Sequence, residues 1–390
     1  MKGWWIRMLK EYRMALHQIP EIGFHEFKTK KYLYEQVKNS GAVIHEIGET
    51  GLLLYFDNQQ EETIAFRTDI DALPVKEETN LSFASKHEGY MHACGHDGHM
   101  AMLLGLTDFI TKHIEDLIYN VVLIYQPSEE ISGGAQSVIQ SGLLDKYEVQ
   151  AIFGFHLWPG LAKGEVFSRP GPLMAQSSET DIIIKGQSAH IASSEKGIDS
   201  LEAAVRFLKN VYDFDRQLPA EWNHLMKFGQ IQGGTIRNVL AGEVIVSGSI
   251  RSYSSDMQNY LKRGLDHLAE QFHSTATISF RYNDGYPAVI NHRGLYAALL
   301  DSNKLHELDA PVLQAEDFGI YTQQYPCVFF FLGVGDTPAL HDPTFDFDMD
   351  VLENGVEWYK TILFTENLLV KIDSSSKEER VNNDEFIQSI

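Results

Sequence analysis

Residues 121–130 read Val-Val-Leu-Ile-Tyr-Gln-Pro-Ser-Glu-Glu, an apolar run followed by a turn and two adjacent acids. A short, uninterrupted apolar run is typical of a strand that is buried on both faces of a parallel sheet. Gln-Pro-Ser reads as the turn that ends this strand. The stretch therefore predicts a buried strand over 121–125 that delivers Glu129 and Glu130 just beyond its carboxyl end.

Three more apolar runs, over 63–67, 151–155 and 328–332, are also predicted to be strands. Acids and histidines follow them: Asp69 and Asp71, His156, and His341 with Asp342. An open α/β sheet binds its ligands at the carboxyl ends of its strands. Helical periodicity between these runs predicts an α/β fold with a mostly parallel central sheet.

The middle of the chain has a different pattern, strand-helix-strand-strand-helix-strand, which is typical of a ferredoxin-like α+β unit. Its predicted elements cover 181–185, 198–212, 225–232, 243–250, 257–272 and 277–282. Helices are predicted again over 295–305 and 353–370. We therefore expect a discontinuous α/β domain, residues 1–176 and 288–372, with an inserted domain at 177–287. Residues 373–390 are serine-rich and charged, and are expected to form a flexible tail.

The chain has 390 residues, with 54 acidic against 32 basic side chains and a formal net charge of −22. Such a negative surface repels phosphate backbones and anionic lipids, so neither nucleic-acid binding nor membrane binding is expected. Two cysteines, Cys94 and Cys327, are too few for a disulfide framework and fit a reducing compartment. No apolar run has the length of a signal-peptide core or a membrane span, so a cytoplasmic protein is expected.

Residues 92–99 read His-Ala-Cys-Gly-His-Asp-Gly-His and concentrate groups that bind divalent metals. No requirement of folding explains such a density of imidazole, thiol and carboxylate groups. Cys94 and His96 are the expected ligands, whereas His92 and His99 are expected to support ligands or to lie on a helix surface. For Asp97, a helix cap and an orienting role both stay open.

Further motifs follow in a fixed order along most of the chain. They are Leu16-His17, Phe24-His25-Glu26, Arg67-Thr68-Asp69-Ile70-Asp71-Ala72-Leu73-Pro74, Met91 to Met100, Gln126-Pro127-Ser128-Glu129-Glu130, Phe155-His156-Leu157, Gly186-Gln187-Ser188-Ala189-His190, Gly233-Gly234 to Asn238-Val239, Ala315-Glu316-Asp317-Phe318 and Leu340-His341-Asp342-Pro343. In this order they resemble the aminoacylase, hippurate hydrolase and auxin-conjugate hydrolase branch of the co-catalytic metallopeptidases, a family of di-metal amidohydrolases.

The resemblance implies a site for two divalent metal ions per subunit. The implied ligands are Cys94, His96, Glu130, His156 and His341, with the Cys94 thiolate bridging the two ions. One thiolate among imidazoles and carboxylates suits zinc, and manganese is the other expected metal, with cobalt or nickel as alternatives.

The resemblance also assigns roles to residues outside the ligand set. Glu129 matches the general base, and His190 matches a histidine of the inserted domain that completes an active site, often that of the partner subunit. Asn238 and Arg251 match residues that contact substrate. The inserted domain is implied to be a lid through which the protein forms a homodimer.

Elementary chemistry supports these roles. Adjacent acids on an extended turn face different ways, so Glu130 can bind metal while Glu129 takes a proton from water and returns it to the leaving amine. His190 and Asn238 are suited to donate hydrogen bonds to the oxyanion. Asp69 is expected to hold a ligand imidazole from outside the ligand set, with an ordinary turn acid as the alternative.

The expected function is hydrolysis of the amide bond of N-acyl amino acids. A dipeptidase or short-peptide carboxypeptidase would use the same residues and is the alternative. A metal-binding protein without activity is a second alternative, against which the presence of Glu129 argues. A two-metal phosphoesterase would need arginine or lysine clamps, whereas the ligand segments offer mainly acids.

Overall fold

The computed structural model describes residues 2–131, 133–272, 274–300, 304–370 and 372. The chain divides into two compact units. The larger comprises the described residues within 1–173, 290–311 and 317–372, and the smaller comprises those within 174–289 and 312–316. The segment 373–390, for which a flexible tail is predicted, lies outside the described residues. Within the described ranges, no helix is long and apolar enough to cross a membrane.

The elements of the described residues are numbered here in chain order. The strands are β1 Val43–Ile47, β2 Gly51–Phe56, β3 Thr63–Asp69, β4 Asn120–Gln126, β5 Val149–Pro159, β6 Val166–Ser168, β7 Gly171–Met174, β8 Gln176–Lys185, β9 Leu225–Gly233, β10 Glu243–Ser252, β11 Thr277–Asp284, β12 Val289–Asn291, β13 Leu305–Glu307 and β14 Cys327–Gly335. The α-helices are α1 Lys2–His17, α2 Phe27–Val37, α3 His96–His113, α4 Gly134–Gln140, α5 Leu143–Lys146, α6 Ser200–Asp215, α7 Ser255–Glu270, α8 Arg293–Leu300, α9 Gly319–Thr322 and α10 Val351–Leu363.

The larger unit is built on a sheet of eight strands in the order β1-β2-β4-β3-β5-β14-β6-β13. The four central strands, β4, β3, β5 and β14, pair in parallel, whereas β1 and β2 add antiparallel pairs at one edge. Every residue of β3 and β4 is buried, which explains why their sequences are apolar runs rather than alternating patterns. The α/β class with a parallel sheet centre is confirmed.

Helices cover this sheet with apolar side chains. α3 packs against both α1 and α10. The main hydrophobic cluster buries four apolar side chains of α3, namely Met100, Leu103, Leu104 and Leu106. Because α3 begins at His96, this packing also fixes the start of the helix, which carries His96 and follows Cys94 directly in the chain.

The smaller unit has the predicted ferredoxin-like order, β8-α6-β9-β10-α7-β11. Its antiparallel sheet has the strand order β11-β8-β10-β9. Both helices begin at a capping side chain: Asp199 accepts hydrogen bonds from two backbone N–H groups of α6, and Ser254 accepts one from α7. Their apolar faces bury Phe207 and Leu261 against the strands.

Two predicted helices end earlier than the sequence pattern indicates. The predicted helix over 295–305 is wrong at its end, because Leu305 begins β13, which pairs in parallel with β6. Long-range strand pairing there outweighs the local helical pattern. The predicted helix over 353–370 ends at Leu363, and Asn367 beyond it has a φ of 56°, which a right-handed helix does not allow.

Candidate metal centre and active site

The carboxyl ends of the central strands bring together the residues that sequence analysis singled out in the larger unit. Asp69 is the last residue of β3, His156 lies in the second half of β5, and Glu129 and Glu130 follow β4. His341 follows β14, and its backbone N–H donates to the Ala93 carbonyl at 2.9 Å. That hydrogen bond joins the His341 loop directly to the segment that carries Cys94 and His96.

Four side chains converge around the Cys94 sulfur. Cys94 Sγ lies 3.4 Å from His156 Nε2 and 3.3 Å from His341 Nε2. Glu130 Oε1 lies 3.4 Å from His341 Nε2 and 3.8 Å from His96 Nε2. The structure therefore brings together all five expected ligands, which are far apart in the sequence.

These side chains form two groups that share the thiol. Cys94, His96 and His156 offer ligand atoms within 4.8 Å of one another, and so do Cys94, Glu130 and His341. Each group has the donor types and spacing that a divalent metal requires. Because Cys94 belongs to both groups, the arrangement fits two neighbouring ions better than one.

The two buried imidazoles are fixed in the tautomer that leaves Nε2 available. His96 Nδ1 lies 2.9 Å from the Asp71 carbonyl oxygen, and His156 Nδ1 lies 2.7 Å from the Leu157 carbonyl oxygen. A carbonyl oxygen can only accept, so Nδ1 donates in both rings. Among the described residues, His96 Nε2 and Glu130 Oε1 are buried without a hydrogen-bond partner. Both atoms are therefore available to bind an ion.

The electrostatics of the cluster also favour a cation. Burial raises the pKa of the Cys94 thiol well above its usual range, and the nearby Glu130 and Glu129 carboxylates raise it further. Although burial alone would lower the pKa of His96, the carboxylates of Asp69, Asp71 and Glu130 raise it to about 10. A negative field that holds a proton on His96 would hold a divalent cation in its place and deprotonate the thiol. The residues present therefore fit a metal site.

Asp69 and His99 support this cluster from outside the ligand set. His99 Nε2 accepts the Leu157 backbone N–H at 2.9 Å, so its Nδ1 carries the proton and donates to Asp69 Oδ1 at 2.7 Å. Arg67 donates to the other Asp69 oxygen at 2.8 Å. His99 uses both ring nitrogens in this way, and it fixes the backbone directly after His156 rather than offering a ligand atom.

Asp97 ties the ligand loop to α1. Its Oδ1 accepts the Gly98 N–H at 2.9 Å, and its Oδ2 contacts Arg13 Nε at 3.1 Å and His17 Nδ1 at 2.8 Å. Sequence analysis left its role open and did not identify Arg13 as its partner. Arg13 is too far away in the sequence to be identified by spacing, although His17 belongs to the first of the quoted motifs.

Glu129 and Glu130 occupy different surroundings, as adjacent acids on a turn are expected to. Glu130 lies among the imidazoles of His96 and His341. Glu129 is 6% exposed, and its Oε1 lies 3.4 Å from the backbone nitrogen of Asp317. Sequence analysis did not assign a role to Asp317, a buried acid that also binds Arg67 at 2.6 Å.

The other predicted site residues lie in the smaller unit. His190 and Asn238 are exposed and lie on paired segments, since His190 forms a β-bridge with Val239 and the Asn238 carbonyl accepts the Ile191 N–H at 3.0 Å. His190 Nδ1 accepts the Ala192 N–H at 3.2 Å, so in the neutral ring Nε2 carries the proton. Arg251 is half-buried and donates to the Leu313 carbonyl at 3.3 Å.

The model of the family described as Peptidase family M20/M25/M40 matches residues 65–365. The chain belongs to peptidase family M20/M25/M40. A curated relative, N-acetyldiaminopimelate deacetylase of Shouchella clausii (strain KSM-K16), is 36% identical over 340 residues, which are 85% of this chain and 90% of the relative. N-acetyl-L-cysteine deacetylase of Bacillus subtilis (strain 168) is 33% identical over 345 residues, which are 86% of this chain and 82% of the relative.

A solved Bacillus subtilis structure, described as a dinuclear metal-binding peptidase of the M20 family, is similar with a TM-score of 0.80 and 28% identity. The match covers 95% of this chain and 99% of that chain. Since M20/M25/M40 proteins are peptidases, these findings confirm the resemblance drawn from the motifs and the expected hydrolase class. They also agree with the fold class.

Proposed function

We propose that this M20/M25/M40 hydrolase cleaves the amide bond of N-acyl amino acids, releasing a carboxylate and a free amino acid. The observation that carries the proposal is the pair of ligand groups that share Cys94, together with a further acid, Glu129, whose oxygen lies within 4.8 Å of ligand atoms of His96 and Glu130. The two curated relatives are named as deacetylases of N-acetylated amino acids, which makes short acyl groups the first substrates to test.

We propose that Cys94, His96 and His156 hold one ion and that Cys94, Glu130 and His341 hold the other. Zinc or manganese is the proposed metal, with cobalt or nickel as alternatives, because such donor sets accept all four. When bound, two such ions supply Lewis-acid polarisation of the amide carbonyl and a lowered pKa for water.

Glu129 then acts as the general base and acid. Its carboxylate takes a proton from the attacking water and gives it to the leaving amine, so that the products leave as carboxylate and amine. The backbone N–H of Asp317, 3.4 Å from Glu129 Oε1, restrains one oxygen of that carboxylate. Asp69 positions the His156 backbone through His99, which helps to keep the site in one geometry.

The roles of the smaller unit's residues are proposed from the resemblance to the family. His190 and Asn238 donate hydrogen bonds to the oxyanion, and Arg251 contacts the substrate. The tautomer of His190 supports its role, because a proton on the exposed Nε2 is available for donation.

We further propose residues 1–176 and 288–372 as the catalytic domain and 177–287 as a lid that also forms a homodimer. Exposed apolar side chains on α6 and on the edge strand β9, namely Leu201, Val205 and Ile231, support an interface on the smaller unit. The two-cysteine composition supports a cytoplasmic location, where the Cys94 thiol stays reduced.

The test is a substrate panel on metal-reconstituted protein, with N-acetyl, N-benzoyl and dipeptide forms of the same amino acids. The proposal expects N-acyl turnover that a chelator abolishes and added metal restores. Dipeptide turnover above N-acyl turnover would favour the peptidase alternative. A metal-loaded protein that hydrolyses none of these substrates would contradict the proposal.

A further inference from the structure

Glu26 lies in one of the quoted motifs but has no part in the site described so far. It is fully buried at the N-cap position of α2, where a polar side chain often accepts a hydrogen bond from the first turn. Its side chain makes no capping hydrogen bond. The position of Glu26 in the sequence therefore does not explain why a carboxylate is buried there.

Another acid caps α2 instead. Glu21 Oε2 accepts the backbone N–H groups of Lys28 and Thr29 at 2.8 and 3.0 Å, and the Thr29 hydroxyl at 3.2 Å. These contacts satisfy N–H groups of the first turn and place a negative charge at the helix N-terminus. Glu21 thus supplies the negative charge that stabilises the N-terminus of α2, and Glu26 is not needed for that purpose.

Burying Glu26 is unfavourable by itself. No lysine or arginine within the described ranges is paired with it, so its charge is supported by hydrogen bonds alone. Burial raises the pKa of Glu26 to about 7, because desolvation of its charged form outweighs the hydrogen bonds from the Thr50 side chain and the Ser128 backbone that favour that form. Functional sites are where such locally unfavourable choices are expected, so the contact that this carboxylate makes indicates its role.

The partner of Glu26 lies in the turn that carries the two adjacent acids. Glu26 Oε1 accepts the Ser128 backbone N–H at 2.8 Å. Ser128 is buried with a φ of 54°, a left-handed conformation that is unfavourable for any residue except glycine. A side chain at Gly23 would place its Cβ 2.5 Å from Ser128 Oγ, so this loop approaches the turn as closely as glycine permits.

A second buried carboxylate holds the other side of the turn. Asp71 Oδ2 accepts the Glu130 N–H at 2.9 Å. Glu129 therefore lies between two residues, Ser128 and Glu130, whose N–H groups are each bound by a buried acid. These two hydrogen bonds fix the backbone from which Glu129 and Glu130 point in different directions.

We propose that Glu26 is a positioning residue, whose carboxylate oxygen holds Ser128 in its left-handed conformation and thereby orients Glu129 as base and Glu130 as ligand. The proposal rests on the proposed function for its effect on turnover, but not for its effect on the turn. A misplacement of about 1 Å at a reacting group can lower turnover by about 100-fold, so the hydrogen bond matters for catalysis.

Two substitutions of Glu26 distinguish the effect of its side-chain length from the effect of its negative charge. Glu26→Gln keeps an acceptor oxygen at the same reach and removes the charge, whereas Glu26→Asp keeps the charge and withdraws the oxygen from the Ser128 N–H. Glu21→Gln is the matched control, because it weakens the cap of the same helix without touching the turn. All variants are measured as metal-loaded enzyme and as metal-free protein.

We expect Glu26→Asp to lower kcat by about 10- to 100-fold at saturating metal with little change in KM, and to weaken metal affinity by about tenfold. In the metal-free protein, amide hydrogen exchange in a peptide covering 126–131 should speed up. Glu26→Gln should stay within about threefold of wild type in all three readouts, since a neutral acceptor is only moderately weaker. Glu21→Gln should lower the melting temperature alone.

A loss of kcat in Glu26→Gln together with wild-type kcat in Glu26→Asp would overturn the proposal, because the charge and not the reach would then matter. Unchanged exchange at 126–131 in Glu26→Asp would also overturn it. A wild-type protein without amidase activity would contradict the proposed function only, since the exchange and metal-affinity readouts still decide the role of Glu26.

Discussion

The expected site residues of the two units are held in different ways. In the larger unit, His96 and His156 are buried, and each ring has one nitrogen bound to a backbone carbonyl and the other turned to the Cys94 region. In the smaller unit, His190 and Asn238 are exposed, and backbone pairing alone brings their segments together. Metal ligands need a fixed geometry before the ion binds, whereas groups that receive a substrate must stay accessible.

The same contrast explains where buried charge is concentrated. Arg13, Arg67, Asp69, Asp97 and Asp317 are all buried in the larger unit, and they bind one another or the ligand segments. Breaking such a pair leaves a charge without its partner, so substitutions here should change metal binding and stability together. Substitutions at exposed residues of the smaller unit should change turnover alone.

The largest effect is expected at the adjacent acids. Glu129→Gln should lower kcat by about 10³-fold or more while two ions stay bound, because an amide cannot accept the water proton. Glu130→Gln should instead weaken metal affinity. Steady-state kinetics and metal analysis on both variants would show whether Glu129 affects turnover and Glu130 affects metal binding. A Glu129→Gln enzyme with substantial activity would show that Glu129 is not the general base.

The next effect is expected in the smaller unit. His190→Ala should lower kcat by about 10²-fold, which is typical for loss of one oxyanion donor, and should leave metal affinity and melting temperature unchanged. His267→Ala removes another exposed histidine of the same unit and serves as the control. If His190→Ala weakened metal binding, the proposed division of roles between the units would be wrong.

A smaller effect on turnover is expected from Asp69→Asn. An asparagine cannot accept hydrogen bonds from Arg67 and His99 through two oxygens, so the His156 segment loses part of its support. Metal affinity should fall by about 10- to 100-fold, and excess metal should restore most of kcat. Competition with a chromophoric chelator measures this change, and wild-type affinity would argue against a supporting role.

The smallest effect on turnover is expected at His17, where the change is in stability. Burial lowers its pKa, but hydrogen bonds to Asp97 and Glu77 outweigh burial and raise the pKa to about 9. Since that value lies above the unfolded value of about 6.5, protonated His17 stabilises the fold below pH 6.5, and this contribution is lost as pH rises through 9. Melting temperatures of His17→Gln should therefore fall less steeply than wild type between pH 6.5 and 9, and parallel curves would contradict the assignment.

The parts of the fold that could be predicted are those with a local sequence signal. The strands β3, β4, β5 and β14 are apolar runs because both of their faces are buried, and the acids and histidines beyond them mark the sheet's carboxyl edge. Short strands such as β6 and β13 are defined by their pairing with each other, which a local pattern does not contain.

The residues of the candidate site also differ in whether a local sequence signal identifies them. Cys94, His96 and the acids after β4 are dense enough in the sequence to be noticed, and His156 and His341 follow predicted strands. A resemblance in motif order then implied their ligand roles and added His190. Glu26 could not be assigned a role, because an acid at a helix start reads as a cap until the structure shows Glu21 in that place. The supporting contacts of Asp317 and Arg13 join segments that are far apart in the chain.

The central claim, that two ions share Cys94, is tested most directly by anomalous diffraction from crystals of the zinc-loaded protein at the zinc edge. The account predicts two anomalous peaks per chain, one bound by Cys94, His96 and His156 and the other by Cys94, Glu130 and His341. A single peak, or peaks remote from the Cys94 sulfur, would contradict it.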